Sequence, residues 1–412
     1  MPQDSYPYDL LMPADQRAIT WNLGSELGLA PYRKRRPMMF GMNVNSAAPK
    51  AKRSVTAVFR NLWRRPRKLM PHIAALLALL GCQAAMAEEP IRWRMGTSWP
   101  SSLPLLHTSM VDFAESIRSA SGGRLIIEVV DPSQHGIPAG LLQAVEDGRF
   151  DLASTTAHYY AKQLPAIDFF TTVPFGLTAE ENHAWLSEGG GQAIFEQILA
   201  PHGILPIAVG NSSVQMGGWF NREITTPDDL KGMRMRISGL PGRVIARLGA
   251  VPVEMPISQI IPAFEDGKLD AAEAVVPAID ALLPFEKHAA YQYAPWHEPD
   301  AVMHLFISRQ KFERLSQDLQ TIFRLAAQAS ALRSIARGLD LNAPALALQE
   351  FRGATTRAWP PAVLAALQRS TDEELASITD PDSRRVIDSL LSYKKKVATY
   401  SLRTLGAVLP NR

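Results

Sequence analysis

Cysteine is almost absent from this chain, which has Cys82 as its only cysteine in 412 residues. The sequence after Cys82 therefore offers no disulfide, no thiol nucleophile and no thiolate metal ligand. The nine histidines show neither H-x-x-x-H nor H-E-x-x-H spacing, so a zinc site has little support. The G-x-S-x-G, P-loop and G-x-G-x-x-G motifs are missing as well. Any binding or catalytic site in the chain after Cys82 must therefore use side chains with oxygen or nitrogen atoms.

Long hydrophobic runs are also lacking, and the apolar run Ile73–Leu80 is far too short to span a bilayer. Basic residues precede it at Arg64–Lys68, and Ala85–Ala87 gives an A-x-A exit, which together are typical of a secretory signal peptide. We predict cleavage after Ala87, with residues 1–87 forming an N-terminal extension and signal peptide of a periplasmic protein. The alternative is an L-L-G-C lipoprotein site, which would leave a lipid anchor on Cys82.

The first 55 residues carry no clear periodicity and are rich in turn formers and basic residues. We expect either a start assigned too early, with the true start at Met39, Met42 or Met70, or a disordered extension.

Excess positive charge is confined to this leader. Thirteen of the 43 basic residues but four of the 40 acidic residues lie before Glu88, which leaves 30 basic and 36 acidic residues in the remainder. The basic isoelectric point is therefore a property of the leader, and nucleic-acid binding by the body of the chain has no compositional support.

The body begins with alternating strand and helix patterns. Strands are predicted at 91–96, 125–130 and 150–154, with helices at 105–120 and 141–146 between them. This order predicts an α/β lobe with a mainly parallel sheet. A second strand–helix series follows from 216 to 276, in which a strand is predicted at 270–276.

Two such series predict an α/β fold of the two-lobed periplasmic binding protein type (type II-like), with a hinge cleft and long C-terminal helices. The predicted divisions are lobe I at 88–209 plus about 274–303, lobe II at 210–273 plus about 304–335, and a helical region at about 311–412. We expect the helical region to brace the lobes or a partner subunit.

Arg236 is the strongest candidate site residue. It ends a short apolar run and is followed at once by the turn S-G-L-P-G, which would deliver a guanidinium to a cleft. A forked cation suits bidentate capture of a carboxylate. With Gln215 and Glu273 nearby in the pattern, we expect these groups to hold a small organic acid together with a cation. The alternative is that Arg236 forms a surface ion pair.

Other candidates follow predicted strand ends, where ligands collect in open α/β sheets. Tyr160 is a candidate hydrogen-bond donor to a ligand, unless it is an aromatic side chain packed on a loop. His297 and Glu298, in the motif W-H-E-P, could touch the same pocket, although a loop histidine is more often structural or solvated.

Eight short motifs resemble, in order, those of the solute-binding proteins of tripartite ATP-independent periplasmic (TRAP) transporters. The resemblance is strongest to the branch that binds 2-oxo acids and other small monocarboxylates with a metal ion, and it covers residues 91 to 400. The motifs are T-S-W-P at Thr97, H-Y-Y-A-K at His158, V-P-F-G at Val173, G-G-G-Q at Gly189, Q-M-G-G-W-F at Gln215, D-L-K-G-M-R-M-R-I-S-G at Asp229, L-D-A-A-E at Leu269 and W-H-E-P at Trp296.

The resemblance implies a role for each matching residue. Arg236 would clamp the ligand carboxylate, and Gln215 and Glu273 would coordinate a sodium or calcium ion. The family branch usually has tryptophan after this glutamate, whereas this chain has Ala274, whose backbone carbonyl would still face the metal. Without the aromatic wall we expect a larger or more apolar ligand than pyruvate, and metal dependence stays open. The other implied pocket residues are Tyr160, Asn211 and Trp99.

The resemblance implies a receptor that catalyses nothing and delivers a small organic acid to membrane permease subunits, with a homodimer possible. One alternative is a ligand sensor for a receptor kinase. Another is a periplasmic hydrolase or lyase with Glu273 as its base, although the sequence shows no matched nucleophile or second acid.

Overall fold

The structure is a computed structural model that describes residues 89–408. The predicted signal peptide, its cleavage site and Cys82 lie outside these residues. Among the described residues, no helix combines the length and the apolar character needed to cross a membrane.

The first sheet has five strands in the order β2-β1-β3-β10-β4. Strand β1 pairs in parallel with both β2 and β3, as the strand–helix alternation predicts. Strand β10 is antiparallel to β3 and β4, so the sheet is mixed. The strands are β1 Ile91–Thr97, β2 Leu125–Val130, β3 Leu152–Thr155, β4 Ile204–Asn211 and β10 Val302–Ser308.

The second sheet has six short strands in the order β11-β9-β5-β8-β6-β7. Strand β6 is parallel to β7 and β8, whereas β5 is antiparallel to β8 and β9. The strands are β5 Trp219–Phe220, β6 Arg234–Arg236, β7 Val251–Val253, β8 Ala271–Ala272, β9 Tyr291–Tyr293 and β11 Thr355–Arg357.

The sheets divide the chain differently from the predicted lobe boundaries after residue 274. Strand β9 lies in the second sheet, although 274–303 was predicted to belong to lobe I. Strand β10 lies in the first sheet, although 304–335 was predicted to belong to lobe II. The two predicted assignments are therefore wrong, because an apolar pattern locates a strand without indicating which sheet it joins.

Twelve helices connect and cover the sheets in the described residues. They are α1 Leu106–Ala120, α2 Pro132–His135, α3 Leu141–Glu146, α4 Ala179–Ser187, α5 Gly191–Leu199, α6 Gly239–Arg247, α7 Ile260–Glu265, α8 Pro277–Asp280, α9 Arg309–Glu313, α10 Gln317–Phe351, α11 Pro361–Ser377 and α12 Pro381–Val408.

The C-terminal helices contact elements that belong to both sheets. Helix α10 packs on β4, α1 and α8, and the chain then enters the second sheet as β11. Helix α11 packs on α6, which follows β6, whereas α12 packs on α4, α5 and the 3-10 turn Pro165–Phe170. The predicted long C-terminal helices are confirmed.

Aromatic side chains lie in the hydrophobic core beside each of the two sheets. Beside the first sheet, the ring of Phe323 from α10 meets Phe113 of α1 edge-on, with 5.2 Å between ring centroids. In the second sheet, Trp219 stacks on Phe285 at 5.2 Å. Truncating a buried aromatic of this kind costs about 3–5 kcal/mol, so these contacts fix the layers on either side of the site.

Two of the connections between the sheets, residues 212–218 and 294–301, run side by side, and we call them the crossing segments; a third connection leads from β10 through α10 to β11. Backbone hydrogen bonds join them: Ser212 N donates to Ala301 O at 2.9 Å, and Gln215 N donates to Glu298 O at 3.1 Å. They run so close that a Cβ on Gly217 would lie 2.3 Å from the carbonyl oxygen of Ala294. Glycine is therefore required at position 217.

Candidate ligand-binding cleft

A cleft opens where strands of both sheets end and the crossing segments pass. The first-sheet side contributes residues after β1 and β3, the second-sheet side contributes residues at the ends of β6 and β8, and the crossing segments contribute four more. The polar and aromatic lining residues are Trp99, Thr156, His158, Tyr159, Asp168, Thr172, Ser212, Gln215, Arg236, Ser238, Glu273, His297 and Glu298.

Arg236 is the last residue of β6, and its guanidinium is held from two directions. Its Nη1 donates to the Glu273 carboxylate Oε2 at 2.7 Å and to the Glu273 backbone oxygen at 2.8 Å. Its Nε donates to the Met255 carbonyl at 3.2 Å. Within the described residues, Nη2 donates no hydrogen bond, so this nitrogen is free to meet a ligand. The alternative of a surface ion pair is wrong, because the side chain lines the cleft and is only 15% exposed.

Arg234 shows why position 236 is the one that matters. It lies two residues earlier, on the same face of β6 by the alternation of strand side chains. Its Nη2 pairs with Asp270 at 2.8 Å, and its side chain is 43% exposed. The cleft lies at the carboxyl end of the parallel strands β6 and β8, so only the final arginine reaches it.

Glu273 and Ala274 leave β8 directly into the cleft. The strand predicted at 270–276 is shorter than expected, because the chain turns after Ala272. The buried Asp280 holds this turn by accepting hydrogen bonds from Val275 N at 3.0 Å and from the Trp219 indole at 2.9 Å. Burial raises the pKa of Asp280 to about 7. The loop that carries Glu273 is therefore anchored from within the second-sheet core.

Buried oxygens without donors mark the part of the cleft that fits a cation. Gln215 Oε1 and Glu298 Oε2 have no hydrogen-bond partner among the described residues, although both side chains are buried. No group of three or more His, Cys, Asp or Glu side chains in the described residues is arranged to hold a metal. A cation here would need amide and carbonyl oxygens as well as carboxylates, which is the donor set of a hard ion such as sodium or calcium. The residues present fit such an ion.

Carboxyl groups outnumber cationic groups at the cleft, and burial acts on their pKa values. Burial, followed by the negative charges of Glu273 and Asp300, raises the pKa of Glu298 well above its ordinary value. Burial raises the pKa of Asp168 to about 6, although Arg243 at 3.5 Å opposes the rise. The cleft therefore favours added positive charge.

Two histidines lie at the cleft. Burial is the main cause that lowers the pKa of His158 to about 4, so its ring is neutral at pH 7. Neither ring nitrogen of His297 has a hydrogen-bond partner in the described residues, and its Nε2 lies 3.9 Å from Glu273 Oε1. The structure thus places His297 and Glu298 where the sequence analysis suggested.

Tyr160 does not line the cleft. Its ring is buried against Phe306, with 5.6 Å between centroids, and its hydroxyl donates to Thr155 Oγ1 at 3.4 Å. Tyr159 lines the cleft instead, because neighbouring residues of the 3-10 turn Ala157–Tyr160 point in different directions. The sequence analysis selected this turn, and of its two neighbouring tyrosines the structure has Tyr159, not Tyr160, in the cleft lining.

Asn211 is also outside the cleft lining, whereas Trp99 belongs to it. The Asn211 amide donates to Asp300 Oδ2 at 3.0 Å, and its Oδ1 accepts from Ser213 N at 2.8 Å. Asn182 donates to the same Asp300 oxygen at 3.0 Å. Asn211 therefore supports the crossing segments.

Sequence reasoning did not single out Tyr159, His158 or Asp168 as site residues. The first two follow β3 directly, so the rule that ligands collect beyond strand ends would have selected them. Asp168 lies in a turn with no such signal, and its position depends on tertiary packing.

Two α/β sheets joined by paired crossing segments, with one partly free arginine between them, define a two-lobed solute-binding receptor. Residues 95–381 match the family described as bacterial extracellular solute-binding protein, family 7 (DctP). The chain belongs to this family.

Several relatives are similar over most of their length. A monocarboxylate 2-oxoacid-binding periplasmic protein of Nostoc sp. (strain PCC 7120) is 33% identical, and the match covers 79% of this chain and 92% of the relative. A TRAP periplasmic solute-binding protein from Pseudoalteromonas atlantica T6c, with bound sodium and pyruvate, is 32% identical with a TM-score of 0.75, covering 79% of this chain and 100% of that one.

A third relative contains another ion and another ligand. The TRAP transporter solute-binding protein from Bordetella bronchiseptica RB50 is 30% identical with a TM-score of 0.74, covering 77% of this chain and 96% of that one. It is a mixed-occupancy dimer with copurified calcium and picolinate in its active site. The predicted family resemblance, two-lobed fold and solute-binding function are confirmed. The family is one of receptors, and its TRAP members are periplasmic proteins.

Proposed function

We propose that this protein is a periplasmic receptor that captures a small 2-oxo or 2-hydroxy monocarboxylate, delivers it to TRAP permease subunits and catalyses no reaction. The observation that carries the proposal is Arg236, which lines the cleft, is fixed at the end of β6 through Nε and Nη1, and leaves Nη2 without a hydrogen bond to the described residues. The relatives that bind pyruvate, picolinate or 2-oxo acids support the ligand class.

The residues that would hold a sodium or calcium ion are Gln215, Glu273 and the backbone carbonyl of Ala274. The ion would supply the positive charge that these buried oxygens lack. Glu273 serves both groups, because its Oε2 also accepts a hydrogen bond from Arg236 Nη1. Release of that bond leaves Nη1 and Nη2 as a parallel pair of donors for one carboxylate. Occupation of the cation site and of the carboxylate site should therefore be coupled.

The remaining wall of the cleft indicates the ligand's other end. Ala274 leaves room where an aromatic side chain would otherwise stand, and apolar side chains from both sheets surround that space. We infer a 2-oxo acid with a longer or branched aliphatic chain in preference to pyruvate, since each buried methylene adds about 0.8 kcal/mol. The apolar lining residues include Leu103, Leu106, Leu240, Ile257 and Val275.

Calorimetry with matched ligands tests this proposal. A branched six-carbon 2-oxo acid should bind more tightly than pyruvate, and its amide, which lacks the carboxylate, should not bind. Exhaustive dialysis against chelator in buffer free of sodium and calcium should weaken acid binding about tenfold or more. Native mass spectrometry of protein purified without refolding would identify a retained acid. Equal binding of the acid and its amide would contradict the proposal.

We further infer that α10 pairs with α10 of a second copy. Leucines recur every seven residues on its solvent face: Leu325 and Leu332 are each 59% exposed, and Leu339 is 74% exposed. Exposed alanines alternate with them in a 4-3 spacing at 329, 336 and 343. A Leu/Ala stripe with this period is typical of a helix-pairing seam, and the dimer of the Bordetella relative supports an assembly of two copies.

The charges beside the stripe favour an antiparallel pair. Arg333 and Asp340 are exposed and form no ion pair within the described part of the chain. In an antiparallel pair, Arg333 of one copy would face Asp340 of the other on both sides of the twofold axis. A parallel pair would not bring Arg333 and Asp340 together.

Analytical ultracentrifugation tests the pairing. Leu332→Glu should convert a dimer into a monomer, whereas Leu364→Glu on α11, which is also exposed, should not. Arg333→Asp should weaken the dimer, and the double change Arg333→Asp with Asp340→Arg should restore it. A wild-type protein that stays monomeric at every concentration reached would overturn the inference.

A further inference from the structure

An ion pair joins the two sides of the cleft. On the first-sheet side, Asp168 lies in the 3-10 turn Pro165–Phe170, which packs on α5 and α12. On the second-sheet side, Arg243 lies in α6, the helix that follows β6, and its Nη2 is 3.5 Å from Asp168 Oδ2. The Asp168 side chain is buried, and Arg243 is the only cation paired with it in the described part of the chain. When the lobes separate, this carboxylate would therefore exchange an arginine for water.

A second acid orients Arg243. Its Nε donates to Glu374 Oε1 of α11 at 2.8 Å, and Glu374 Oε2 accepts from Arg247 Nε, also at 2.8 Å. The Glu374 side chain is 12% exposed, so bulk water competes weakly for these bonds. With Nε fixed on Glu374, the Nη2 end of the Arg243 guanidinium reaches Asp168. Arg243 is thus oriented by a residue that lies outside the cleft lining.

The C-terminal helices hold both partners of this ion pair. Helix α11, which carries Glu374, packs on α6, and α12 packs on the turn that carries Asp168. Near the start of α12, Arg384 Nη1 donates to the Leu375 carbonyl oxygen of α11 at 2.8 Å, which ties the two helices together. The two helices therefore support the arginine on one side of the cleft and its acid partner on the other.

A second ion pair between the same two sides differs in exposure. Lys162 follows the turn Ala157–Tyr160, and its Nζ lies 2.9 Å from Oε2 of Glu254, which follows β7. These side chains are 83% and 59% exposed, and such pairs contribute little because water and salt screen them. Asp168 is 6% exposed and Arg243 is 45% exposed, so the attraction between them is screened less. The Asp168–Arg243 pair should therefore dominate the ionic contact between the lobes.

We propose that Arg243 and Asp168 form a latch that holds the lobes together after a ligand has bound, and that Glu374 is the positioning residue that orients Arg243 for it. The pair exists only where the lobes meet, so it stabilises the closed form over the open form. A contact of this kind slows the opening that precedes ligand release and has little influence on entry into the open cleft. The kinetic test rests on the proposed function because it uses a 2-oxo acid, whereas the latch itself does not depend on which ligand is bound.

Stopped-flow fluorescence of the mature protein, with Trp99 of the cleft as reporter, gives the association and dissociation rates of pyruvate and of a branched six-carbon 2-oxo acid. Arg243→Gln should raise the dissociation rate about three- to tenfold, between the effects of an exposed ion pair and a buried charged hydrogen bond. Asp168→Asn breaks the same pair but also removes a negative charge near the bound anion, so the double variant is needed. The dissociation rate of the double variant should be no higher than that of Arg243→Gln alone, because the pair is already broken.

Glu374 and Arg247 separate positioning from a general loss of charge. Glu374→Gln should raise the dissociation rate by a smaller factor than Arg243→Gln, because Arg243 stays charged and loses only its fixed orientation. Arg247→Gln is the matched control, since the partners of Arg247 in the described residues all lie on α11, and its dissociation rate should equal that of wild type. Effects of Arg243→Gln and Asp168→Asn that multiply, or an equal effect of Arg247→Gln, would overturn the latch. An unchanged rate in Glu374→Gln would overturn its positioning role.

Two further measurements cover a variant that unfolds and a protein that binds neither acid. If Asp168→Asn unfolds, Arg243→Lys should raise the dissociation rate more than Arg247→Lys does, and equal rates would overturn the latch. If the wild type binds neither acid, the proposed function is wrong, and the latch is tested without a ligand. Spin labels on Ser119→Cys of α1 and Ser258→Cys beside α7, which are exposed positions in a mature sequence without cysteine, then report the distance between the lobes. Identical distance distributions in wild type and Arg243→Gln would overturn the latch.

Discussion

The two walls of the cleft differ in chemistry and in how they are held. The second-sheet wall presents Arg236 and Glu273 from strands of three and two residues, and each side chain is tied to backbone or to the other. The first-sheet wall follows strands of seven and four residues and presents Trp99, Thr156 and Tyr159. An acid on that side, Asp168, is paired across the cleft with Arg243 of α6.

This difference indicates a division of work between the lobes. In the proposed receptor the charged wall would bind the ligand's acid group with donors that are already oriented, so little side-chain entropy would be lost on binding. The other wall offers shape and neutral hydrogen bonds, which matter once the lobes have come together. Substitutions on the charged wall should therefore have the largest effects on affinity.

Arg236→Lys gives the largest expected effect. A lysine is a point charge and cannot supply two parallel hydrogen bonds, so ligand affinity should fall about tenfold or more in calorimetry. Arg234→Lys is the control on the same strand, because that side chain pairs with Asp270 away from the cleft. Similar losses in the two variants would show that overall charge, and not the fork at Arg236, recognises the acid.

Tyr159→Phe tests the neutral wall and should have a smaller effect. Removal of one hydroxyl donor costs about 0.5–1.5 kcal/mol, or roughly a two- to twelvefold loss of affinity. Tyr160→Phe removes the neighbouring hydroxyl, which donates to Thr155 away from the cleft lining, and should leave affinity unchanged. A loss confined to Tyr160→Phe would return the ligand contact to the residue that the sequence analysis first selected.

The smallest expected effect concerns the acid that supports the crossing segments between the walls. Burial raises the pKa of Asp300 to about 7 in the folded protein, so between pH 4 and 7 the native state keeps a proton that the unfolded state has lost. The stability this proton provides is lost as the pH rises through 7. Between pH 6.5 and 8 the free energy of unfolding should fall by about 1 kcal/mol on account of Asp300.

The pH window begins at 6.5 because two buried histidines change the free energy of unfolding in the opposite direction at lower pH. Burial lowers the pKa of His158 to about 4 and that of His304 to about 3, so these groups add stability as the pH rises toward 6.5. Urea unfolding of wild type and Asp300→Asn, followed at both ends of the window, isolates the acid. An unchanged slope in the variant would show that Asp300 does not hold the proton.

Local sequence signals predicted the first lobe well. Strand β2 and helix α3 were predicted at 125–130 and 141–146, and the structure has the same bounds. These elements have regular apolar spacing and glycine or charged stops, so the pattern carries the information. The same reasoning brought Arg236, Gln215 and Glu273 together, because each lies at the end of a short strand or beside a glycine pair. Their ligand-binding roles stay predictions.

The structure differs from the sequence-based predictions where a residue's position depends on contacts with residues far away in the sequence. The membership of β9 and β10 in their sheets depends on partners far away in sequence. Asn211 was assigned to the pocket, yet its partner Asp300 lies 89 residues further on. In the turn at Ala157–Tyr160, one residue separates a cleft side chain from a core side chain, and no periodic pattern distinguishes them.

The paired crossing segments have a mechanical consequence. Linked as they are at Ser212 and Gln215, they form a two-stranded strap that flexes across its flat side more easily than it shears along its length. We therefore expect the two lobes to rotate about one hinge axis, which lies across these segments. Because Gln215 and Glu298 lie in the crossing segments themselves, a ligand or ion that binds to them would make the hinge more rigid when the lobes close.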